Sequence, residues 1–150
     1  MPKEPLIPPG LIEALRKNHI IEEGQDPIPP VFYEMQGQII EFDLEPGRLV
    51  ARFPVLPWYQ NPYGIMQGGM IAAAIDNALG PLSQLLAPKN ITRTLEIKYK
   101  KPILPQHDFI TVEAKLVKRE GDFLFLVARV RNNLGELAVV AKAKHYIVKI

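Results

Sequence analysis

The 150-residue chain has no cysteine, a single tryptophan and no long apolar run. Each absence excludes something. Without cysteine there is no disulfide scaffold, no thiolate nucleophile and no thiolate metal site. No apolar stretch reaches the ~18 uninterrupted residues of a membrane-spanning helix. The opening MPKEPLIPPG lacks the apolar core of a signal segment, so the expectation is a soluble, cytoplasmic protein with no membrane partner. A net charge of +2, with basic residues scattered and not grouped in a block, gives no nucleic-acid footprint. The histidines are few as well. His19, His107 and His145 show no metal-ligand spacing and form no Ser–His–acid arrangement legible from chain distance. His107 beside Asp108 reads as solvated at a strand start, and no metal site is expected.

What is present describes one ordinary domain. Hydrophobic residues make up 47% and charged residues 23%, a globular balance at a length that supports one substantial core. Fifteen prolines concentrate in the N-terminal arm and at segment joints, where they stiffen connections. Residues 1–30 read as an irregular arm with a short helix from Leu11 to His19, its stripe formed by Leu11, Leu15 and His19. Residues 31–150 read as the main domain. Val31 to Leu44 is expected as a strand, stopped at Glu45-Pro46-Gly47, and Leu49, Ala51, Phe53 and Val55 alternate as its hairpin partner. After residue 90 the alternations are all of the strand kind: Leu95/Ile97/Tyr99, Ile110/Val112/Ala114/Leu116, Phe123 to Arg131, and Val139/Ala141/Ala143/His145. Short turns demand antiparallel neighbours, and the lack of later helices excludes repeated βαβ units.

Between these strand regions lies NPYGIMQGGMIAAAIDNALGPLSQLL, Asn61 to Leu86. From Met70 it is rich in Ala, Leu and Met, which favours helix. Nearly every face is apolar, so the helix is expected to be buried all round, under a curled sheet and against a second copy of the chain. Gly68 and Gly69 sit where the chain enters the helix. Their missing Cβ atoms permit close approach, and the free amides of the first turn favour developing negative charge. Asp76 stands within MIAAAIDNALG, and burying an unpaired carboxylate is costly. Burial would raise its pKa toward the range of a general base; the alternative is a structural acid bonded to an amide or a tyrosine. Gly80 and Ser83 fall near the same helical face. Gly80 leaves room beside the acid, while Ser83 either offers a hydroxyl or bonds back to the helix.

The run Asn61-x-x-Gly64-x-x-Gln67-Gly68-Gly69, with Asp76 seven residues later, resembles the signature of hotdog-fold acyl-CoA thioesterases of the phenylacetate-degradation type. The resemblance spans roughly residues 31–148. It implies an α+β fold in which an antiparallel sheet wraps a long central helix, paired into a dimer or dimer of dimers with active sites at the subunit interface. It implies hydrolysis of an acyl-CoA thioester, with coenzyme A part of the substrate and no separate cofactor. By the resemblance Gly69 is the oxyanion-hole glycine, Asp76 the catalytic acid supplied by the other subunit, and Asn61 the group that orients substrate or water. Gln67 departs from the pattern, since the family has histidine there; glutamine can donate a hydrogen bond but cannot take a proton near neutral pH. Gly68, Gly80 and Ser83 would line the substrate. Lys89 and Arg93, with Lys100 and Lys101, either meet coenzyme A phosphates or are solvated charges. Two other functions fit the same cavity. One is a non-catalytic acyl-CoA-binding or sensing protein, and the other a hotdog-fold dehydratase, for which Gln67 removes the nearest histidine.

Overall fold

A computed structural model describes residues 7–18 and 25–149. Six strands form a single antiparallel sheet: β1 (Gln38–Asp43), β2 (Arg48–Pro54), β3 (Asn90–Tyr99), β4 (Phe109–Glu120), β5 (Phe123–Asn132) and β6 (Leu137–Ile147). Their order is β1-β2-β4-β5-β6-β3. The strand that leaves the central helix therefore crosses to the far edge beside β6, while β4 returns to pair with β2. Three further helices are α1 (Leu11–Asn18), α2 (Pro30–Glu34) and the long central α3 (Gly68–Leu86).

The turns explain the pairing. Gly121 has φ +57, a left-handed conformation that closes the β4–β5 hairpin where a Cβ would be strained. At the β5–β6 turn Asn132 Oδ1 accepts from the amides of Leu134 and Glu136, holding Asn132 to Gly135 in place. Alternation then sorts the sheet. Leu49, Ala51 and Phe53 of β2, Ile110, Val112 and Ala114 of β4, and Leu124, Leu126, Ala128 and Val130 of β5 are buried toward α3. The helix answers with Ile71, Ala74, Ile75, Ala78, Leu79, Leu82 and Leu85, spaced three and four apart.

Within one chain a single sheet layer covers one side of the helix, and Ala72, Ala73, Asp76, Gly80 and Gln84 remain partly exposed along the other, the side on which a second copy was expected. Two expectations change, at Val31 to Leu44 and at His107. Val31 to Leu44 is not one strand. Pro29 is extended and Pro30 begins α2, where its fixed φ suits a first helical turn and its missing N–H costs nothing. Gln36 takes φ 55, and Gly37 passes the aromatic rings so closely that a Cβ would lie 2.8 Å from Phe32 and Phe53. The strand begins only at Gln38. His107 is not solvated; it is buried in a short turn, its Nδ1 accepting from the Leu104 amide at 2.9 Å. The expected N-terminal helix is present as α1, with Leu11 and Leu15 buried in the same core, while His19 lies outside the described residues. No described helix is long and apolar enough to cross a membrane.

Candidate active site

Helix α3 borders two clefts. The first lies along its middle, a space of about 390 Å³. Asp76, Asn77, Gly80 and Pro81 form the helix side, Asn90, Ile91, Thr92 and His145 the sheet side, and Leu15, Pro27, Pro29 and Val31 the wall contributed by the N-terminal segment. Asp76 is half-buried here, less enclosed than its apolar neighbours suggest, because the small residues on its helix face leave it open. Its Oδ1 accepts from the Thr92 hydroxyl at 2.9 Å, and no described group is bonded to Oδ2. Thr92 Oγ1 also faces His145 Nε2 at 3.5 Å, and His145 Nδ1 meets Asn90 Oδ1 at 2.9 Å. Burial of His145, 1% exposed, pushes its pKa below the ordinary value of 6.5, partly opposed by the negative charge of Asp76.

The second cleft, about 310 Å³, lies at the start of α3 between Asn61, Ile65, Met66, Gly68, Ile71 and the segment Tyr99 to Ile103. Gln67 caps the helix through its backbone alone, without a side-chain bond. No described group accepts from the Gly68 or Gly69 amides, as expected for the first turn of a helix. The Tyr99 hydroxyl donates to the Gly68 carbonyl at 2.7 Å, and a Cβ on Gly68 would press on that ring at 3.3 Å. At Gly69 the space where a Cβ would sit is open. Asn61 Oδ1 accepts from the amides of Tyr63 and Ile65, so the carbonyl end of this side chain shapes the loop and its NH₂ is left as a donor.

Within one chain the structure separates these groups. Gly69 and Asp76 are two turns apart, about 10 Å along the helix axis. Ser83 is fully buried and donates back to the Gly80 carbonyl at 2.8 Å; it is not among the residues lining the acid cleft. Lys89 is exposed just beyond the helix, and Arg93 lies over the Tyr146 ring at 5.4 Å. Lys101 is paired with Glu136 at 2.9 Å, both largely exposed, beside the amide cleft. Among the described residues no group of three or more His, Asp or Glu side chains could hold a metal ion.

This architecture matches solved structures over nearly its whole length. A phenylacetic acid degradation-related protein from Ralstonia eutropha JMP134 superposes with a TM-score of 0.78 at 24% identity, covering 91% of this chain and 98% of its own. The E. coli PaaI protein of the phenylacetic acid degradation operon gives 0.76 at 15% identity, covering 93% and 96%. The chain has the hotdog fold. In sequence, the acyl-coenzyme A thioesterase THEM4 of Bos taurus is 31% identical over 103 residues, 69% of this chain and 41% of that protein. The chain thus spans about two fifths of the length of the curated thioesterase it matches. No protein-family model matches it.

One member of the acid cleft of this hotdog domain escapes a reading by alternation. Thr92 sits before a bulge: Thr92 pairs with His145 and Thr94 with Lys144, so Arg93 is an extra residue. Counting back from Leu95 and Ile97 puts Thr92 on the outer face, and the bulge returns it to the helix. His145 was legible as part of the buried stripe Val139, Ala141, Ala143. Its pairing with Thr92 across 53 residues was not.

Proposed function

We propose that this hotdog domain hydrolyses acyl-CoA thioesters. The observation that carries the reading is Asp76: a half-buried carboxylate with one oxygen held by Thr92 and the other open to an apolar-walled cleft. A carboxylate so oriented can take a proton from a water attacking a thioester carbonyl, or attack that carbonyl itself. The carbonyl oxygen would then be held by the free Gly69 amide, whose position at a helix start favours the oxyanion. Asn61 NH₂ and Gln67 would donate to the same substrate group, and Gly80 would leave space for the acyl chain.

The two halves meet only if two chains combine. Strand β3 is a ten-residue edge with no partner on its outer side among the described residues, exposing Ile91 and Tyr99. Such an edge is prone to pair. Its Asn90 end lies by the acid cleft and its Tyr99 end by the amide cleft. An antiparallel pairing of two β3 edges about a two-fold axis would set the acid of one subunit against the amides of the other. In that dimer Lys100 and Lys101, at the Tyr99 end, would flank coenzyme A phosphates, with Lys89 and Arg93 approaching from the opposite subunit.

The test pairs the wild-type chain with Asp76→Asn, which keeps nearly the same volume. Both are assayed against short-chain, long-chain and aryl acyl-CoA thioesters by thiol release, with binding measured separately. Hydrolysis by the wild type, reduced about 10²–10⁴-fold in the variant with binding retained, supports the reading. Equal binding by both with no hydrolysis of any thioester replaces it with a binding or sensing role.

A further inference from the structure

We propose that His145 is a positioning residue that shares the proton of Asp76 through the Thr92 hydroxyl, so that carboxylate and buried imidazole serve as one two-site base. The hydrolysis reading supplies the source of the proton; the sharing itself follows from geometry.

Start at Asn90, which is buried. Its NH₂ donates to the carbonyls of Pro88 at 2.9 Å and Ser83 at 3.2 Å. Those two acceptors set the amide orientation, so it is the carbonyl oxygen that faces His145 Nδ1. Nδ1 therefore carries a proton, and in the neutral ring Nε2 is bare. Nε2 points at Thr92 Oγ1, 3.5 Å away. Thr92 has a single proton and two acceptors in reach, and the nearer, charged Asp76 oxygen at 2.9 Å takes it. The imidazole is thus a buried acceptor held at the back of the hydroxyl and left waiting.

Protonation of Asp76 changes the hierarchy. As water attacks, its O–H bond breaks and an O–H bond forms on Asp76. The carboxylic acid now donates to Thr92 Oγ1, and the threonine proton turns to Nε2. If the Asp76 O–H bond then breaks, a new Thr92 O–H bond forms, the old one breaks and Nε2–H forms. Asp76 is again a carboxylate and His145 an imidazolium; the reverse path returns the proton to the thiolate leaving group. The surroundings suit this. Asp76 and His145 are the titratable side chains among the residues lining the cleft. From β3 His145 meets the uncharged Asn90 and Thr92, and from β5 it is paired with Leu124. Asp76 is the one charge that favours the imidazolium against the cost of burial.

Two measurements decide it. In ¹⁵N-histidine-labelled protein, the His145 ring should show the Nδ1–H tautomer at neutral pH, and Asp76→Asn should lower its titration midpoint. An Nε2–H tautomer, or a midpoint indifferent to Asp76→Asn, overturns the proposal even if no thioester is turned over. In thioester hydrolysis, His145→Gln and Thr92→Val should each lower kcat about 10- to 100-fold, the worth of one hydrogen bond to a charged group, with KM little changed. The double variant should be no slower than either single one. Thr92→Ser, which keeps the hydroxyl, should restore turnover. Thr92 is exposed, so its variants remain informative if His145→Gln does not fold. A wild-type rate and pH profile in His145→Gln, additive losses, or a Thr92→Ser as slow as Thr92→Val would sink the relay while leaving hydrolysis intact. A wild type that hydrolyses nothing overturns the proposed function, and the ring titration still judges the coupling.

Discussion

The two clefts on α3 are made of different material. The one at the helix start is made largely of main chain: the amides of Gly68 and Gly69, unbonded among the described residues, a carbonyl held by Tyr99, and a loop shaped by Asn61. The one at mid-helix is made of side chains: Asp76, Thr92, His145 and Asn90 in a line of polar contacts. A side-chain function can be deleted by substitution. A backbone amide cannot be deleted that way; it can only be obstructed. The open space at Gly69 is where obstruction is possible.

The acid and the amides can be separated onto different chains. Asp76→Asn and Gly69→Ala homodimers should each be nearly inactive. Unfolded together and refolded as a mixture, they should recover activity, because one site of each mixed dimer has both groups intact. The ceiling is about a quarter of the wild-type rate for random pairing. No recovery, with mixed dimers demonstrated by mass spectrometry, would mean that acid and amides act within one chain or not at all. Gly69→Ala alone should fold with an unchanged melting temperature, since among the described residues no atom beyond its chain neighbours and its own helical backbone lies within 4 Å of the added methyl. It should lose about 10²-fold in kcat, on the scale of an oxyanion-hole donor. A wild-type rate would remove Gly69 from the site.

A smaller effect concerns stability at the side-chain cleft alone. The folded-state pKa of His145 lies below its unfolded value of 6.5. Above pH 6.5 both states hold the ring neutral and the full stability is present. As pH falls below 6.5 the unfolded chain takes up a proton that the folded chain resists, so stability declines through the folded pKa. Melting temperature should fall in that window, and His145→Gln should flatten this part of the profile; an equal slope in both proteins would assign it to other groups. The smallest effect is expected at Gln67, which is exposed and caps without its side chain. Gln67→Ala should cost about 0.5–1.5 kcal/mol in transition-state stabilisation, one neutral hydrogen bond. A loss as deep as that of Asp76→Asn would give Gln67 a larger role.

Much of this fold was legible because period and composition agree. The Ala- and Leu-rich run after Gly69 is the central helix, and each alternation after residue 90 is a strand. The reading failed where a local device overrides the period. Pro30 makes a helical turn of Val31 to Glu34, whose Phe32 and Tyr33 read equally well as strand. At Arg93 one extra residue inverts the alternation, which hid Thr92. The burial of His107 comes with a short local turn in which its ring accepts from the Leu104 amide three residues back, a device no strand period encodes. Asp76 was visible by its contrast with its neighbours. Its partners were not, because Thr92 lies 16 residues away and His145 a further 53.

The bulge at Arg93 makes the acid cleft depend on the pairing register of β3 more than on the identity of the bulged residue. Replacing Arg93 changes one exposed side chain. Deleting it would remove the bulge and keep Thr92 opposite His145; pairing that ran straight through Arg93 would instead turn the strand before it by half a revolution, carrying the Thr92 hydroxyl and the Asn90 amide to the outer face and bringing Ile91 in. In an alignment of hotdog chains, a gap placed at Thr92 in place of Arg93 would set an arginine in the column of the hydroxyl that meets the acid. The register of this strand, counted to a single residue, carries as much information as the identity of the residues it holds.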